Sequence, residues 1–188
     1  MFGKAATYDL FWDAAAAMAV EESQRWILTA MQRYGHELVT MLWRILGNEQ
    51  DVCDAYQTTF LRLANHEGGR RPRAVKAYLF RTAGNTAVSM LRRRQTERRA
   101  LSNITDSVAE PPSDPSDFDA AHLVESLRHH ITQLPEHLQN VIVLRDLGEL
   151  SYAEVGRTLG ISAGSARVYR CKALQMLAAR MNGDEDEL

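Results

Sequence analysis

The sequence predicts an all-α protein of two small helical domains joined by a flexible acidic linker. Helical periodicity is widespread along the 188 residues, and no strand-like alternation persists anywhere. A stretch rich in Ser, Asp and Pro divides the chain, and this composition cannot bury a core. The predicted segments are an N-terminal extension (1–24), a first domain (25–100), the linker (101–121), a second domain (122–181) and an acidic tail (182–188).

The first domain is predicted to contain three helices, which cover residues 25–46, 50–64 and 74–97. The first ends at Gly47, since glycine adopts the left-handed conformation after a helix without a Cβ clash. Two adjacent glycines and a proline exclude a continuous helix over residues 65–73, which are therefore predicted to form a loop. The extension 1–24 is predicted either to add a helix or to be a frayed terminus.

The second domain is predicted to contain a helix-turn-helix. Ser151 and Glu154 fit the S-x-x-E pattern of a capping box at the start of one short helix. Gly160 ends this helix, and Ser162 can cap a second one. Gly156, inside the first helix, costs about 1 kcal/mol relative to Ala, which a close helix–helix contact would explain. Two short helices joined by about three residues present the second helix to the DNA major groove. The alternative is an ordinary helical hairpin with a solvated basic face.

The last helix carries residues that can contact duplex DNA. Arg bridges guanine O6 and N7, and Lys reaches the same edge less rigidly. Four side chains share one helical face through their i, i+1, i+4, i+5 spacing, namely Arg167, Val168, Cys171 and Lys172. Ser165, Tyr169 and Arg170 either reach phosphates or pack. The predicted duplex-binding residues are Ser165, Arg167, Val168, Arg170, Cys171 and Lys172.

Charge is strongly segregated along the chain, although the formal net charge is only −2. Residues 62–99 contain eleven Lys or Arg against two acids, whereas residues 102–126 contain six acids and no Lys or Arg. Such a basic density is expected of a surface that contacts phosphates, because a solvated helical face usually mixes both signs. Single-stranded DNA binding combines a positive groove with stacking surfaces. Tyr78 and Phe80 lie in the basic region, although such residues more often belong to a core.

Other classes of protein lack support in the sequence. No apolar run approaches 18 residues and no secretory signal begins the chain, so we expect a cytoplasmic protein without membrane insertion. Cys53 and Cys171 fit no metal or redox spacing and are predicted to be free thiols. The histidines form no HExxH pattern, and no catalytic arrangement emerges. The sequence thus predicts no enzyme, no cofactor and no metal site.

The segments in their order resemble bacterial sigma-70 factors of the extracytoplasmic-function (ECF) type, over residues 25–181. Residues 51–62 (DVCDAYQTTFLR) are similar to the family's core-binding helix, and residues 76–93 are similar to its −10 reading helix. The stretches 134–145 and 150–161 are similar to its −35 domain. Each motif alone is moderately specific, whereas the order, the spacing and the intervening acidic linker make the combination strong.

This resemblance implies a promoter-specificity subunit of bacterial RNA polymerase. Such a protein docks on the β′ clamp helices and the β flap of core RNA polymerase and recognises promoter DNA at the −10 and −35 elements. An anti-sigma factor is a further partner that the resemblance suggests. The implied core-binding residues are Asp51, Asp54, Gln57 and Phe60. The implied −10 contacts are Arg73, Lys76, Tyr78, Arg81, Asn85, Arg92 and Arg93.

The chain departs from the family pattern at several positions. Gly84 stands where Arg is common, and Ser89 stands where Asp is common. In the last helix, Tyr169 replaces a basic residue and Arg170 replaces an apolar one. The promoter sequence therefore cannot be carried over from the family. A stand-alone helix-turn-helix regulator, dimeric on a palindrome, is the alternative function, although a repressor needs no basic single-strand module.

Overall fold

A computed structural model describes residues 25–66, 71–102 and 115–185, which are mostly helical and contain no strand. The helices are α1 (Arg25–Leu46), α2 (Glu49–Ala64), α3 (Val75–Ser102), α4 (Pro115–Gln133), α5 (Glu136–Ile142), α6 (Tyr152–Leu159) and α7 (Ala163–Glu185). A π-helical turn (Val143–Leu147) lies between α5 and α6. The predicted all-α class is confirmed.

The predicted extension, residues 1–24, lies outside the described residues. Within the part of the chain that the structure describes, no helix is both long and apolar enough to cross a membrane.

Helices α1, α2 and α3 form the first domain, because each presents an apolar stripe to the other two. Leu38 and Leu42 on α1 are fully buried and recur at helical spacing. Gly47 has a φ of 73° and follows the end of α1, as its sequence position predicts. Asn48 then caps α2, since its side-chain oxygen accepts a hydrogen bond from the Asp51 N–H at 2.8 Å. The chain therefore turns sharply from α1 into α2.

Helices α4 to α7 form the second domain. Val141 on α5, Val155 on α6 and Ala166 on α7 are fully buried together in its core. Between α5 and α6 the chain widens into the π-helical turn, in which the Gly148 N–H donates to the Val143 oxygen at 2.9 Å. The sequence did not predict this turn, because periodicity does not distinguish one wide turn from an ordinary helical turn.

The two domains share one continuous apolar core. α3 of the first domain packs against α4, α6 and the π-helical turn of the second. At the centre of this contact, a Cβ added to Gly84 would lie 2.8 Å from Val143 Cγ1. A Cβ added to Gly148 would lie 3.0 Å from Met41 Sδ. Both glycines therefore allow an approach that larger residues would obstruct.

The boundaries of the predicted linker and tail differ from the helix ends. α3 continues to Ser102 and α4 begins at Pro115, so both helices enter the stretch 101–121. A proline is tolerated in the first turn of a helix, because the N–H that it lacks would have no partner there. α7 likewise continues to Glu185, inside the predicted tail. Composition alone therefore did not locate these helix ends.

Candidate nucleic-acid and polymerase interfaces

The capping box predicted at the start of α6 is present. Ser151 Oγ accepts a hydrogen bond from the Glu154 N–H at 3.3 Å, and the Ser151 N–H donates to Glu154 Oε2 at 2.8 Å. The Ser151 hydroxyl donates to the same carboxylate oxygen at 2.7 Å. These hydrogen bonds from Ser151 lower the pKa of Glu154 to about 2. The carboxylate therefore stays ionised and fixes the beginning of the helix-turn-helix.

The turn between α6 and α7 also matches its prediction. Gly160 has a φ of 70° and a ψ of 31°, the left-handed conformation expected after a helix. Ser162 Oγ accepts a hydrogen bond from the Ser165 N–H at 2.9 Å and so caps α7. Gly156 was expected to allow a close contact between two helices, but the atoms nearest to it belong to the backbone of the turn that follows α6. A Cβ added to it would lie 2.7 Å from the Ile161 backbone oxygen, so the turn itself requires the glycine.

One face of α7 is exposed to solvent. It carries Arg167, Val168, Cys171 and Lys172, all of which are exposed, with Val168 at 52%. These are the four side chains whose spacing placed them on one face. The Arg167 guanidinium lies 5.1 Å from the centre of the Tyr152 ring, a cation–π distance. The ring therefore orients Arg167 on the exposed face.

Two residues predicted to bind duplex DNA have partners inside the protein. The Arg170 guanidinium donates to both carboxylate oxygens of Asp146, at 2.7 to 3.0 Å, and these hydrogen bonds raise the pKa of Arg170. Arg170 therefore joins α7 to the π-helical turn and is turned away from the exposed face. Ser165 is half-buried and its hydroxyl lies 2.9 Å from Ser162 Oγ. Tyr169 packs edge-on against His137, with ring centres 5.2 Å apart.

An open cleft lies between α2 and α3 in the first domain. Its lining includes Leu61, Arg62, His66, Tyr78, Thr82 and Asn85. The Tyr78 ring is tilted against the His66 ring, with centres 4.5 Å apart, and the Tyr78 hydroxyl donates to the Arg62 backbone oxygen at 3.3 Å. Tyr78 is thus half-buried and held in place at the cleft, whereas Phe80 is fully buried in the core. An aromatic ring beside an exposed amide provides stacking and hydrogen bonding for an unpaired base.

The other residues implied for −10 binding are not gathered at this cleft. Arg81 is exposed on α3, and Arg93 is 82% exposed at its side chain and pairs with Glu97 four residues later. Arg73 and Lys76 line a second cleft, between the two domains. The structure therefore separates a set of residues that the linear basic segment grouped together.

Two of these cations contact the second domain. Lys76 Nζ lies 3.1 Å from Glu37 and 3.3 Å from Glu154. Burial disfavours the charged amine, but the hydrogen bonds and charges of the two carboxylates outweigh it and raise the pKa of Lys76. Arg92 donates to the backbone oxygen of Thr132 on α4. Both side chains are therefore already engaged in contacts within the protein.

The residues implied for core binding, all on α2, also differ in whether their side chains are exposed or are engaged within the protein. Asp54 and Gln57 are exposed. Asp51 accepts a hydrogen bond from Arg94 Nη1 at 3.0 Å. Phe60 is only 6% exposed and lies against Tyr56, with ring centres 4.8 Å apart, so its ring packs in the core instead of offering a surface to a partner. The family motif includes this position, but the apolar stripe of α2 buries it.

Sequence reasoning missed Leu61, which is 63% exposed and follows Asp54 and Gln57 along the same side of α2. Its spacing of seven residues from Asp54 could have placed it outside the buried stripe. A single exposed leucine is common on protein surfaces, but this one lies on the same side of α2 as Asp54 and Gln57, so the three side chains form one mixed polar and apolar surface.

Comparison with known proteins gives consistent matches. The model for Sigma-70 region 2 matches residues 30–97, and the model for Sigma-70, region 4 matches residues 125–177. The ECF RNA polymerase sigma factor SigE of Mycolicibacterium smegmatis is 30% identical over 164 residues, which are 86% of this chain. The chain spans only 61% of the length of SigE. The ECF RNA polymerase sigma factor SigW of Bacillus subtilis is 24% identical over 71% of this chain and 77% of SigW.

A solved structure of CnrH in complex with the cytosolic domain of CnrY shares the fold. It is 24% identical in sequence, with a TM-score of 0.50, and the match covers 91% of this chain and 95% of that chain. The basic helical domain and the helix-turn-helix are the two parts of the chain that the region 2 and region 4 models match, in this order. The chain belongs to the sigma-70 family and, within it, to the ECF sigma factors. The resemblance found in the motifs is confirmed.

Proposed function

We propose that this protein is a sigma factor that binds core RNA polymerase and directs it to promoters through their −10 and −35 elements. The observation that carries the proposal is the presence of two different reading surfaces in one chain of this family. One is the exposed face of α7, and the other is the cleft between α2 and α3. A stand-alone repressor would need only the first.

The α7 face reads the −35 element as duplex DNA. Arg167 and Lys172 offer donors to guanine O6 and N7, and Val168 offers an apolar contact to a thymine methyl group. Cys171 lies between them on the same exposed face. Arg170 supports this helix from behind through Asp146, so its contribution is to orientation rather than to base contact.

The cleft between α2 and α3 captures bases of the −10 element after the strands separate. Tyr78 supplies the stacking surface and Asn85 supplies hydrogen bonds to a base edge. Arg81 and Arg93, exposed on the same helix, contact the phosphates that flank the captured bases. Binding the separated strand favours its separation, because a ligand that binds one state shifts the equilibrium toward it.

The exposed side of α2 docks on the core enzyme. Asp54, Gln57 and Leu61 form this surface, and the β′ clamp helices are its proposed partner. The second domain reaches the β flap. Acting with the polymerase places the protein in the cytoplasm, without an enzymatic activity of its own. An anti-sigma factor that competes with polymerase for these surfaces is a further proposed partner.

Run-off transcription with purified core polymerase tests the proposal. Promoters would be selected from a random library by the complex of core enzyme and this protein. We expect promoter-dependent transcripts that require the protein, and we expect Asp54→Arg to abolish core binding. Glu136→Arg, which changes an exposed acid on the other domain, is the matched control and should bind normally. A correctly folded protein that does not bind core polymerase would contradict the proposal.

The same experiment decides the alternative. A dimeric regulator would bind duplex DNA tightly without polymerase and would protect a two-fold symmetric site, because a symmetric dimer recognises two half-sites. A sigma factor should instead show selective promoter binding only together with the core enzyme.

A further inference from the structure

Two arginines of the second domain lie over the ring of Tyr152, the first residue of α6. The guanidinium carbon of Arg145 lies 4.9 Å from the centre of the ring, and that of Arg167 lies 5.1 Å from it. A cation within about 6 Å of the centre of an aromatic ring is attracted to the face of the ring. Because Arg145 belongs to the π-helical turn and Arg167 belongs to α7, the ring of Tyr152 connects these two elements.

The ring and Arg145 are held in place by the rest of the second domain. Tyr152 is half-buried and packs against the hydrophobic core. Arg145 is also half-buried, and its Nη1 donates a hydrogen bond to the Leu150 backbone oxygen at 3.0 Å. Arg167, in contrast, is exposed on α7. The ring is therefore the fixed partner of the pair, and it restricts the directions in which the longer Arg167 side chain can point.

The next residue of the π-helical turn fixes α7 itself. Asp146 accepts hydrogen bonds from the Arg170 guanidinium at 2.7 to 3.0 Å, and Arg170 follows Arg167 by three residues on α7. Hydrogen bonding to Asp146 is the main cause that raises the pKa of Arg170, and the hydroxyl of Tyr152 contributes to the same increase. Arg170 stands where the family commonly has an apolar residue. Consecutive residues of one turn thus position α7 and, through Tyr152, one of its exposed cations.

The orientation of Arg167 matters for its proposed contact with DNA. A guanidinium bridges guanine O6 and N7 through two parallel hydrogen bonds, which form only when its plane is aligned with the edge of the base. An unrestricted arginine side chain occupies many rotamers, and ordering it upon binding costs free energy. When the side chain is already restricted, a larger fraction of the protein is competent for this contact. The benefit is confined to the base pair that Arg167 contacts.

We propose that Tyr152 is a positioning residue for recognition of the −35 element, and that its ring holds Arg167 in the orientation that reads a guanine. Arg145 fixes the ring from within the domain. This inference rests on the proposed function, since it assigns a residue to the reading of duplex DNA by the α7 face. Tyr152 acts through Arg167. It therefore increases the discrimination at a single guanine, whereas the other contacts of α7 with DNA do not depend on it.

Binding of modified promoters by the complex of core polymerase and this protein tests the proposal. In promoters selected from the random library, each guanine of the −35 element is replaced in turn by 7-deazaguanine, which lacks the N7 acceptor. We expect one of these replacements to weaken binding by about tenfold, because it removes part of a bidentate contact. Arg167→Ala should bind the modified and unmodified promoters equally well, which identifies the guanine that Arg167 contacts.

Removing the ring should reduce this discrimination selectively. Tyr152→Leu is expected to lower it to about threefold, because an unrestricted Arg167 is competent for the contact only about one fifth as often. The affinity for the unmodified promoter should fall by a similar factor of about three, whereas the affinity for the 7-deazaguanine promoter should not change. Tyr152→Phe, which keeps the ring, should resemble the native protein. In an Arg167→Ala background, Tyr152→Leu should have no further effect on either promoter.

Tyr34→Leu is the matched control. Tyr34 is also half-buried and also faces two cations, with Arg33 at 5.5 Å and Lys76 at 6.0 Å from its ring centre, but it lies on α1 of the first domain. This variant should not alter the discrimination at any guanine of the −35 element. Circular dichroism verifies that each variant remains helical. If Tyr152→Leu does not fold, Tyr152→Met takes its place, because a flexible apolar side chain fills an irregular space with less disturbance.

The outcomes separate this inference from the proposed function. A folded Tyr152→Leu protein that loses equal affinity for both promoters would show a structural role only, and tighter binding of the unmodified promoter would show that the ring competes with DNA for Arg167. Either result would overturn the proposal. A native complex that selects promoters but tolerates 7-deazaguanine at every position would also overturn it, while leaving core binding and promoter selection intact. A native protein that does not bind core polymerase would overturn the proposed function, and the positioning role with it.

Discussion

Helices α3 and α7 both carry clusters of cations, but they use them differently. α7 buries Ala166, Ala173 and Leu177 on one side and leaves an exposed face on the other. α3 is contacted by helices of both domains, while part of it also lines the open cleft. The number of cations on a helix therefore does not identify its DNA-binding face. What matters is which of them are already bound to carboxylates or carbonyl oxygens within the protein.

The largest effect is expected from removing the exposed cations of α7. Arg167→Ala with Lys172→Ala should weaken duplex −35 binding by about 1–3 kcal/mol for each base-reading side chain that is removed. Core binding should be unchanged, because the side chains proposed to dock on the core enzyme, Asp54, Gln57 and Leu61, lie on α2 of the first domain. A quantitative binding assay at fixed salt measures the effect, and Arg33→Ala on α1 is the control. Unchanged promoter selection by the double variant would refute the assignment of this face.

The next largest effect is expected in the cleft on α3. Tyr78→Ala should weaken binding of single-stranded −10 DNA by about 1–3 kcal/mol, because it removes one stacking surface. Tyr78→Phe keeps the ring and removes only the hydroxyl that donates to Arg62, so it should retain most of the affinity. Fluorescence anisotropy with single-stranded and duplex probes measures both. Equal losses of affinity for the two probes would show that the cleft is not specific for the open strand.

A smaller effect, on stability rather than recognition, is expected at Arg170. Arg170→Ala should lower the free energy of unfolding by about 1 kcal/mol, because it leaves the Asp146 carboxylate without its partner in a place where both side chains are still partly solvated. Chemical denaturation measures this change. If Arg170 instead contacts DNA, promoter affinity will fall in the folded variant while its stability remains close to that of the native protein.

The smallest effect is expected from the pH dependence of the capping box. The Glu154 pKa is about 2 in the folded protein and about 4.3 when the chain is unfolded. Its contribution is therefore fully present above about pH 4.3 and is lost as the pH falls through about 2. Glu154→Gln should cost about 1 kcal/mol or less at pH 6, since the group is partly solvated, and the difference should shrink toward about pH 3. Urea unfolding at several pH values checks this, with Glu136→Gln as control. A difference that does not change with pH would exclude the charge as its origin.

Local sequence patterns predicted the features that depend on a few neighbouring residues. The capping box at Ser151, the left-handed Gly160 and the exposed face around Arg167 all follow from spacing and backbone conformation within one or two turns. The family also followed from the order of such motifs. Local patterns did not reveal that Arg170 bonds to Asp146, which is distant in sequence, or that Phe60 lies in the core.

The sequence by itself determined the helices, the two-domain order and the helix-turn-helix, because hydrophobic period, caps and glycines act over short distances. Only the tertiary structure decided which cations remain available to contact DNA. Arg92 and Arg170 are both cations on basic helices, and the sequence does not distinguish them. In the structure, Arg92 donates to the Thr132 backbone oxygen of the second domain, and Arg170 donates to the Asp146 carboxylate in the π-helical turn. Such partners are fixed by how helices pack, since packing brings together groups that no local pattern relates. The same packing placed Gly84 directly against Val143 of the second domain.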